Sequence, residues 1–213
     1  MDIRSKLIIA EGIDGSGKST FSKRLAAALN EKHPTSLFFE PGKESPASQE
    51  IEQILTGKIG AGEDTSARLG RLFYEDRIWQ IEKKIAPLLY RGDCVVLDRY
   101  FFSTAAYQAN DLQEVQKICN RYMADPLIIR PDLVFYLKIS PAMALERLQA
   151  RNSETHIFEK KEKLEKIATH YDYIFETIFQ NSQNDLFEVC ALDATQTPSE
   201  VEMAALKKIF ETQ

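Results

Sequence analysis

A glycine-rich loop between a strand-like run and a helical run is the feature that most constrains the fold of this chain. Residues 7–10 are all apolar, as in a strand buried on both faces, and residues 21–29 carry apolar side chains at helical spacing. The loop between them comprises Gly12, Ile13, Asp14, Gly15, Ser16, Gly17, Lys18, Ser19 and Thr20. Strand, glycine turn and helix in this order are the context that a phosphate-binding loop requires. The sequence therefore predicts an α/β fold with an anion site directly after its first strand.

The chemistry of this loop suits a nucleoside triphosphate. Glycines let backbone N–H groups turn inward around an anion, and the helix N-terminus adds a partial positive charge. Lys18 can reach the β- and γ-phosphates, and the Ser19 hydroxyl can ligate Mg²⁺. The alternative, a chance match in an ordinary loop, is disfavoured by the flanking strand and helix. We therefore expect ATP-type binding with magnesium as the cofactor.

Strand-like and helical runs alternate along all 213 residues, which suit a single domain, 1–213. The strand-like runs lie at about 6–10, 36–39, 94–97, 133–139 and 186–191. The helical patterns lie at about 18–32, 45–57, 66–90, 101–124, 141–151, 159–181 and 198–211. This alternation predicts a five-stranded parallel sheet with helices on both faces. Ligands of such sheets bind beyond the carboxyl ends of the strands.

Composition excludes some partners. A net charge of −5 argues against a nucleic-acid-binding face, and no apolar run approaches the 18 residues of a membrane span. Three cysteines without metal-ligand spacing, and no signal-peptide pattern, predict a cytoplasmic protein. Cys94 and Cys190 lie in apolar runs and are predicted to be buried, whereas His33 and His170 are predicted to lie at the surface.

A carboxylate and a guanidinium, Asp98 and Arg99, follow the apolar run 94–97. Burying such a pair without a ligand costs more free energy than it returns. Asp98 is therefore a candidate for hydrated Mg²⁺, and Arg99, with its planar fork, for a phosphate. The alternative is an internal ion pair that ties the strand end to a helix.

A second candidate site lies in the long helical pattern, where Phe73 and Arg77 are four residues apart and share a face. A ring and a guanidinium one turn apart could stack a flat base and bond its edge. The alternative is a core phenylalanine beside a surface arginine. The same ambiguity applies to a group just after Arg99: Ser103, Thr104, Tyr107 and Gln108.

A third candidate is a short lid at about 150–158. Arg147 and Arg151 lead into a polar loop there, as expected of a segment that closes over phosphates. The alternative is a solvated helix end with arginines near its C-terminal dipole.

Together these residues resemble the thymidylate kinase family over nearly the full chain. The matching stretches are 11–20, Glu40-Pro41-Gly42, Asp98-Arg99-Tyr100, Ser103-Thr104, Ala106-Tyr107-Gln108, 130–134, 144–147 and 192–198. The resemblance implies a three-layer α/β/α P-loop kinase fold with a short lid. It also implies Mg²⁺-dependent phosphorylation of dTMP to dTDP by ATP, in a homodimer.

The resemblance assigns individual roles as well. Phe73 would stack on thymine, Arg77 would bond its carbonyl edge, and Arg99 would hold the dTMP phosphate. Asp14 would meet the sugar 3′-hydroxyl and Tyr107 would crowd the 2′ position. Thr104 and Gln108 would lie near the base. The implied catalytic residues are Lys18, Arg99, Arg147 and Arg151.

Two positions depart from the family pattern. Phe39 stands where the family commonly has an arginine on the acceptor phosphate, and Lys43 could replace that charge but not its bidentate contact. Ile157 stands where members with this loop usually have a lid arginine, which leaves Arg147 and Arg151 as candidates. These departures keep open a kinase for another deoxynucleoside monophosphate or a deoxynucleoside, or a weakly catalytic ATP-binding regulator.

Overall fold

The computed structural model of the protein describes residues 3–59, 65–150, 157–179 and 187–211. Within them lies one sheet whose strands are all parallel and are ordered β2-β3-β1-β4-β5. The strands are β1 (Leu7–Glu11), β2 (Thr35–Phe39), β3 (Cys94–Asp98), β4 (Leu133–Lys138) and β5 (Glu188–Asp193). Because the order runs outward from β1 in both directions, right-handed crossovers put helices on both faces. The predicted five-stranded parallel sheet is confirmed.

The helices begin and end largely where the sequence signals indicate. They are α1 (Lys18–Asn30), α2 (Pro46–Leu55), α3 (Thr65–Gln80), α4 (Ala86–Arg91), α5 (Phe101–Gln108), α6 (Leu112–Ala124), α7 (Pro141–Gln149), α8 (Ile157–Asp172) and α9 (Pro198–Glu211). The side chains of Ser45, Asp111 and Ser140 cap α2, α6 and α7 by accepting a hydrogen bond from the backbone N–H three residues on.

Two predicted long helices are interrupted. The predicted helix 101–124 is two helices, because Asp111 adopts an extended backbone and caps a new start at Leu112. The pattern at 66–90 contains a π-helical segment, Ile81–Ile85, between α3 and α4. Pro87 lies just after it and has no N–H to continue an α-helical ladder. A second π-helical segment, Tyr173–Ile178, extends α8.

Burial separates a large core from a small one. The residues of β1 and β3 are buried throughout, and helices on each face pack against them. A separate small cluster joins α2 to α3 through Ile51, Ile54 and Leu72, and Phe73 packs against it. On its other face α3 packs against the large core through Tyr74 and Ile78, so α3 lies between the two clusters.

Some predictions about single residues were wrong. His170 is buried rather than exposed, and its Nδ1 lies 2.9 Å from the carbonyl oxygen of Ala106. Cys94 is buried as predicted, whereas Cys190, on edge strand β5, is only partly so. In the part of the chain that the structure describes, no helix combines the length and apolarity needed to cross a membrane.

Candidate active site

The glycine-rich loop connects β1 to α1 through a backbone that only glycine adopts readily. Gly15 and Gly17 have φ values of 84° and 91°. A Cβ on Gly15 would lie 2.4 Å from the carbonyl oxygen of Ala144, so the loop fits closely against α7. Lys18 is buried, and its Nζ donates to the Ile13 carbonyl at 2.8 Å.

Without a bound anion, the charged form of Lys18 is less favourable than it is in water. Burial, and then repulsion from Arg99, lower the pKa of Lys18 to about 7, although Asp14, Asp98 and Glu11 oppose the shift. An anion bound at the loop would stabilise the charged lysine. The electrostatics of the loop therefore favour an anionic ligand over the empty state.

A cavity of about 390 Å³ lies beside the loop. It is lined by Ser16, Gly17, Thr20, Phe21, Leu137, Arg147, Ala150, Ala194, Gln196, Pro198 and Val201. Walls that are mainly apolar, with Arg147 and Gln196 among them, suit a flat heterocycle better than a phosphate. Arg147 thus lies against the cavity, and Arg151 falls outside the described residues, as do residues 151–156 of the predicted lid.

The end of β3 lies beside the loop. Asp98 is in register with Ala10, and the backbone N–H of Arg99 donates to the Ala10 carbonyl at 3.0 Å. Asp98 is buried, and its Oδ2 has no hydrogen-bond partner among the described residues. A buried carboxylate oxygen of this kind is suited to a hydrated cation. Ser19, the other predicted ligand, is exposed at the start of α1.

Both ends of the Arg99 guanidinium are held by side chains. Nη2 donates to Asp14 Oδ1 at 2.5 Å and to the Tyr107 hydroxyl at 3.3 Å. Nη1 donates to Ser103 Oγ at 3.0 Å and lies 3.5 Å from the Tyr171 hydroxyl. Burial alone would raise the pKa of Asp14, but Arg99 and Lys18 lower it below its usual value.

Arg77 is buried rather than at the surface, so the core-phenylalanine, surface-arginine alternative is wrong. Its Nε lies 3.0 Å from both Glu40 oxygens, and its Nη2 donates to Glu40 and to Thr104 Oγ1 at 2.6 and 3.1 Å. Its Nη1 has no partner within the described parts of the chain. Burial raises the pKa of Glu40 to about 7 although Arg77 opposes the shift.

The face of α3 that carries Arg77 also carries Phe73 and Gly70, at spacings of four and seven residues. Phe73 is half-buried. A Cβ on Gly70 would lie 2.7 Å from Oε1 of Gln108, so this amide lies directly against α3. The structure therefore brings Arg77, Thr104 and Gln108 together between α3 and α5. Phe73 lies one turn before Arg77, packed against the small cluster between α2 and α3.

The loop after β2 joins this group. Phe39 is in register with Asp98 and is 36% exposed, and Lys43 is exposed. Asp76, which the sequence analysis missed, is buried and accepts from the Gly42 N–H at 2.7 Å and from Ser45 Oγ at 2.5 Å. Asp76 thereby ties the loop and the start of α2 to α3.

Glu11 and Tyr171 were also missed as site residues. Glu11 is fully buried beneath Arg99, and Tyr171 reaches it from α8 with a hydroxyl at 2.8 Å. A carboxylate that ends an apolar strand is the same signal that marked Asp98, so Glu11 could have been found from sequence. Nothing in the sequence near Tyr171 indicates its contact.

Comparison with known proteins gives a consistent result. A family model described as thymidylate kinase matches residues 10–203. A thymidylate kinase of Leptospira interrogans is 36% identical over 189 residues, which cover 86% of this chain and 90% of that protein. One from Leptospira borgpetersenii is 34% identical over 94% of this chain and 91% of its own. One from Desulfotalea psychrophila is 39% identical over 78% and 80% of the two chains.

Proposed function

Because this chain belongs to the thymidylate kinase family, we propose that it transfers the γ-phosphoryl group of ATP to dTMP and forms dTDP. One observation carries the choice of acceptor: Arg77 is buried and fixed by Glu40 and Thr104, yet Nη1 has no partner among the described residues. A buried donor of this kind needs an acceptor, and a carbonyl oxygen of thymine is one. The alternative acceptors and the regulator are not favoured by the relatives.

The base would lie along the α3 face. Phe73 would stack on the ring and Arg77 would donate to its edge, with Thr104 and Gln108 beside it. Stacking by an aromatic side chain fits any flat base, so the choice among bases rests on the hydrogen bonds. Removing the Arg77 donor should therefore lower both the affinity for dTMP and the discrimination between thymine and other bases.

The sugar and phosphate of dTMP would lie at the end of β3. Arg99 would hold the phosphate with its fork, and Asp14 would accept from the sugar 3′-hydroxyl. The Tyr107 ring lies 5.0 Å from the Arg99 guanidinium carbon, which supports its proposed role of crowding the 2′ position. Lys43 is exposed just beyond β2 and could add charge that Phe39 lacks.

The donor would lie on the other side of the loop. Lys18 and the loop amides would bind the β- and γ-phosphates of ATP, and the adenine would occupy the cavity beside Arg147. Ser19 and Asp98 fit a magnesium ion, which supplies charge neutralisation to the phosphates when bound. Arg151 stays a proposal from the resemblance, as do the homodimer and the cytoplasmic location.

The transfer itself requires little proton chemistry. A dTMP phosphate is ionised near neutral pH and can attack without a general base. Lys18, Arg99 and a lid arginine would offset the charge that moves with the phosphoryl group. The residues of this site thus act mainly by binding and orienting two phosphate groups.

Release of ADP from Mg·ATP tests the proposal with dTMP, dUMP, dCMP, dGMP, UMP and thymidine as acceptors. We expect a clear preference for dTMP, poor use of UMP because of Tyr107, and poor use of thymidine because Arg99 has no phosphate to hold. Arg77→Met should erode the preference for dTMP over dCMP, while Lys18→Met should abolish turnover with every acceptor. Preference for another acceptor would overturn the substrate assignment, and dTMP binding without turnover would favour the regulator.

A further inference from the structure

Arg99 has an uncommon backbone for an arginine. Its φ is +74°, in the left-handed region that non-glycine residues rarely adopt. The turn is held from below by Glu11, whose Oε1 accepts the backbone N–H groups of Tyr100 and Ser103 at 2.7 and 3.2 Å. A single buried carboxylate therefore fixes the backbone on the C-terminal side of Arg99.

The other oxygen of Glu11 accepts two hydroxyl groups. Ser103 Oγ and the Tyr171 hydroxyl donate to Oε2 at 2.7 and 2.8 Å, and the two hydroxyl oxygens lie 2.7 Å apart. Tyr171 is fully buried, so water does not compete for these contacts. Burial raises the pKa of Glu11, although Arg99, Ser103 and Tyr171 oppose the shift.

The same two hydroxyl groups face Nη1 of Arg99: Ser103 Oγ accepts from it at 3.0 Å, and the Tyr171 hydroxyl, which also contacts Ser103 Oγ at 2.7 Å, lies further away at 3.5 Å. Each hydroxyl has one hydrogen and two lone pairs, so it can donate to Glu11 and accept from Arg99 at once. Both hydroxyl groups lie between the Glu11 carboxylate and the Arg99 guanidinium. The electric field between these two charges orients the hydroxyl dipoles. Nη1 is thereby anchored by neutral groups that an incoming phosphate need not displace.

The opposite side of the guanidinium is different. Nη2 donates to the Tyr107 hydroxyl at 3.3 Å and to Asp14, whose side chain is 50% exposed, so a ligand phosphate can replace the Asp14 carboxylate. Arg99 thus has one fixed side and one exchangeable side.

We propose that Tyr171 and Ser103, held by Glu11, are positioning residues that aim Arg99 at the acceptor phosphate. This inference rests on the proposed function. Neither hydroxyl touches the substrate in this scheme; both act through Arg99.

The first test compares Tyr171→Phe with Tyr173→Phe. Tyr173 lies two residues further on, and its hydroxyl contacts Gln116 rather than Arg99, so its variant is a matched control. We expect Tyr171→Phe to weaken dTMP binding and kcat/KM for dTMP by about tenfold, as for loss of a hydrogen bond to a charged group. Thymidine affinity and the KM for ATP should change by less than about twofold, because neither involves the acceptor phosphate.

A double-mutant cycle then separates positioning from general damage. In an Arg99→Met background, Tyr171→Phe should have no further effect on dTMP affinity, since its route through Arg99 is gone. Equal weakening of dTMP and thymidine binding, or a full effect in the Arg99→Met background, would overturn the proposal. If Tyr171→Phe folds poorly, Ser103→Ala carries the same cycle and must give the same pattern.

Failure of the proposed function would look different. Wild-type protein would then prefer another acceptor in the ADP-release assay, whereas the affinity of a nucleoside monophosphate relative to its nucleoside, measured by calorimetry, would still report on Arg99. The inference about Tyr171 is overturned by the outcomes of the double-mutant cycle given above, or if Tyr171→Phe leaves the difference between dTMP and thymidine affinity unchanged.

Discussion

Lys18 is an ionisable residue whose charge depends on whether a ligand is bound. In the free protein its pKa is lowered to about 7, chiefly by burial. Bound phosphates would favour the charged form and raise this pKa, so ATP binding above pH 7 should take up a proton, and affinity should fall as pH rises through that value. Calorimetry of ATP binding at pH 8 in two buffers of different ionisation enthalpy measures the uptake. We expect an uptake approaching one proton in wild-type protein.

The control for this linkage is Lys18→Met, in which the uptake should vanish. The ATP phosphates are already ionised at pH 8, so they contribute little to the proton balance. Uptake that persists in the variant would assign the proton to another group, and absence of uptake in wild-type protein would show that Lys18 is already charged in the free loop.

Phe39 stands where the family commonly has an arginine, and the effect of this difference can be tested by substitution. Because Phe39 is in register with Asp98, an arginine there would bring a second guanidinium to the edge of the sheet where Arg99 lies. We expect Phe39→Arg to lower the KM for dTMP by about tenfold through a charge-assisted contact. Phe39→Lys, which adds charge without the fork, should give a smaller gain. A higher KM in both variants would mean that Phe39 itself supports the acceptor.

At the scale of elements, α3 carries the proposed base site on one face, and Gly70 on that face leaves room for the Gln108 side chain. Gly70→Ala should stabilise the helix by about 0.5–1 kcal/mol, because glycine costs backbone entropy there. The new Cβ would displace the Gln108 amide, which lies 2.7 Å from that point, so the KM for dTMP should rise a few-fold. Urea unfolding and steady-state kinetics measure the two effects.

A double-mutant comparison tests whether the kinetic effect of Gly70→Ala acts through Gln108. In a Gln108→Ala background the kinetic effect of Gly70→Ala should disappear while the gain in stability remains. A kinetic effect that persists there would place the cause elsewhere on α3.

At the scale of the whole molecule, the small cluster between α2 and α3 should open before the sheet does. Its few buried apolar residues lie outside the large core, and α2 is also held through its cap residue Ser45, which donates to Asp76. In contrast, α3 packs on the large core through Tyr74 and Ile78 as well. We expect amides of α2 to exchange at a lower free energy than those of β1, β3 and β4, and dTMP to slow them. Native-state hydrogen exchange in low denaturant measures this order. Exchange of α2 only by global unfolding would contradict it.

Several features of this protein are encoded locally and were predicted from the sequence. The apolar runs of β1 and β3, the glycines of the loop and the Asp98-Arg99 pair all act within a few neighbouring residues. Since parallel strands end at one edge of a sheet, predicting the strands also predicts that the loop and Asp98 meet. The break at Asp111 was missed because the capping side chain lies inside a continuous helical pattern.

The sequence by itself determined the sheet, the glycine-rich loop and the sheet edge at which the proposed ligands would meet, because periodicity and glycine placement act over short stretches of chain. Only the tertiary structure decided that Arg77 is buried against Glu40, 37 residues away, and that Tyr171 bonds Glu11, 160 residues away. Such contacts depend on how whole helices pack, and packing joins side chains that no local pattern relates. The same packing places Tyr171 where we propose that it orients Arg99.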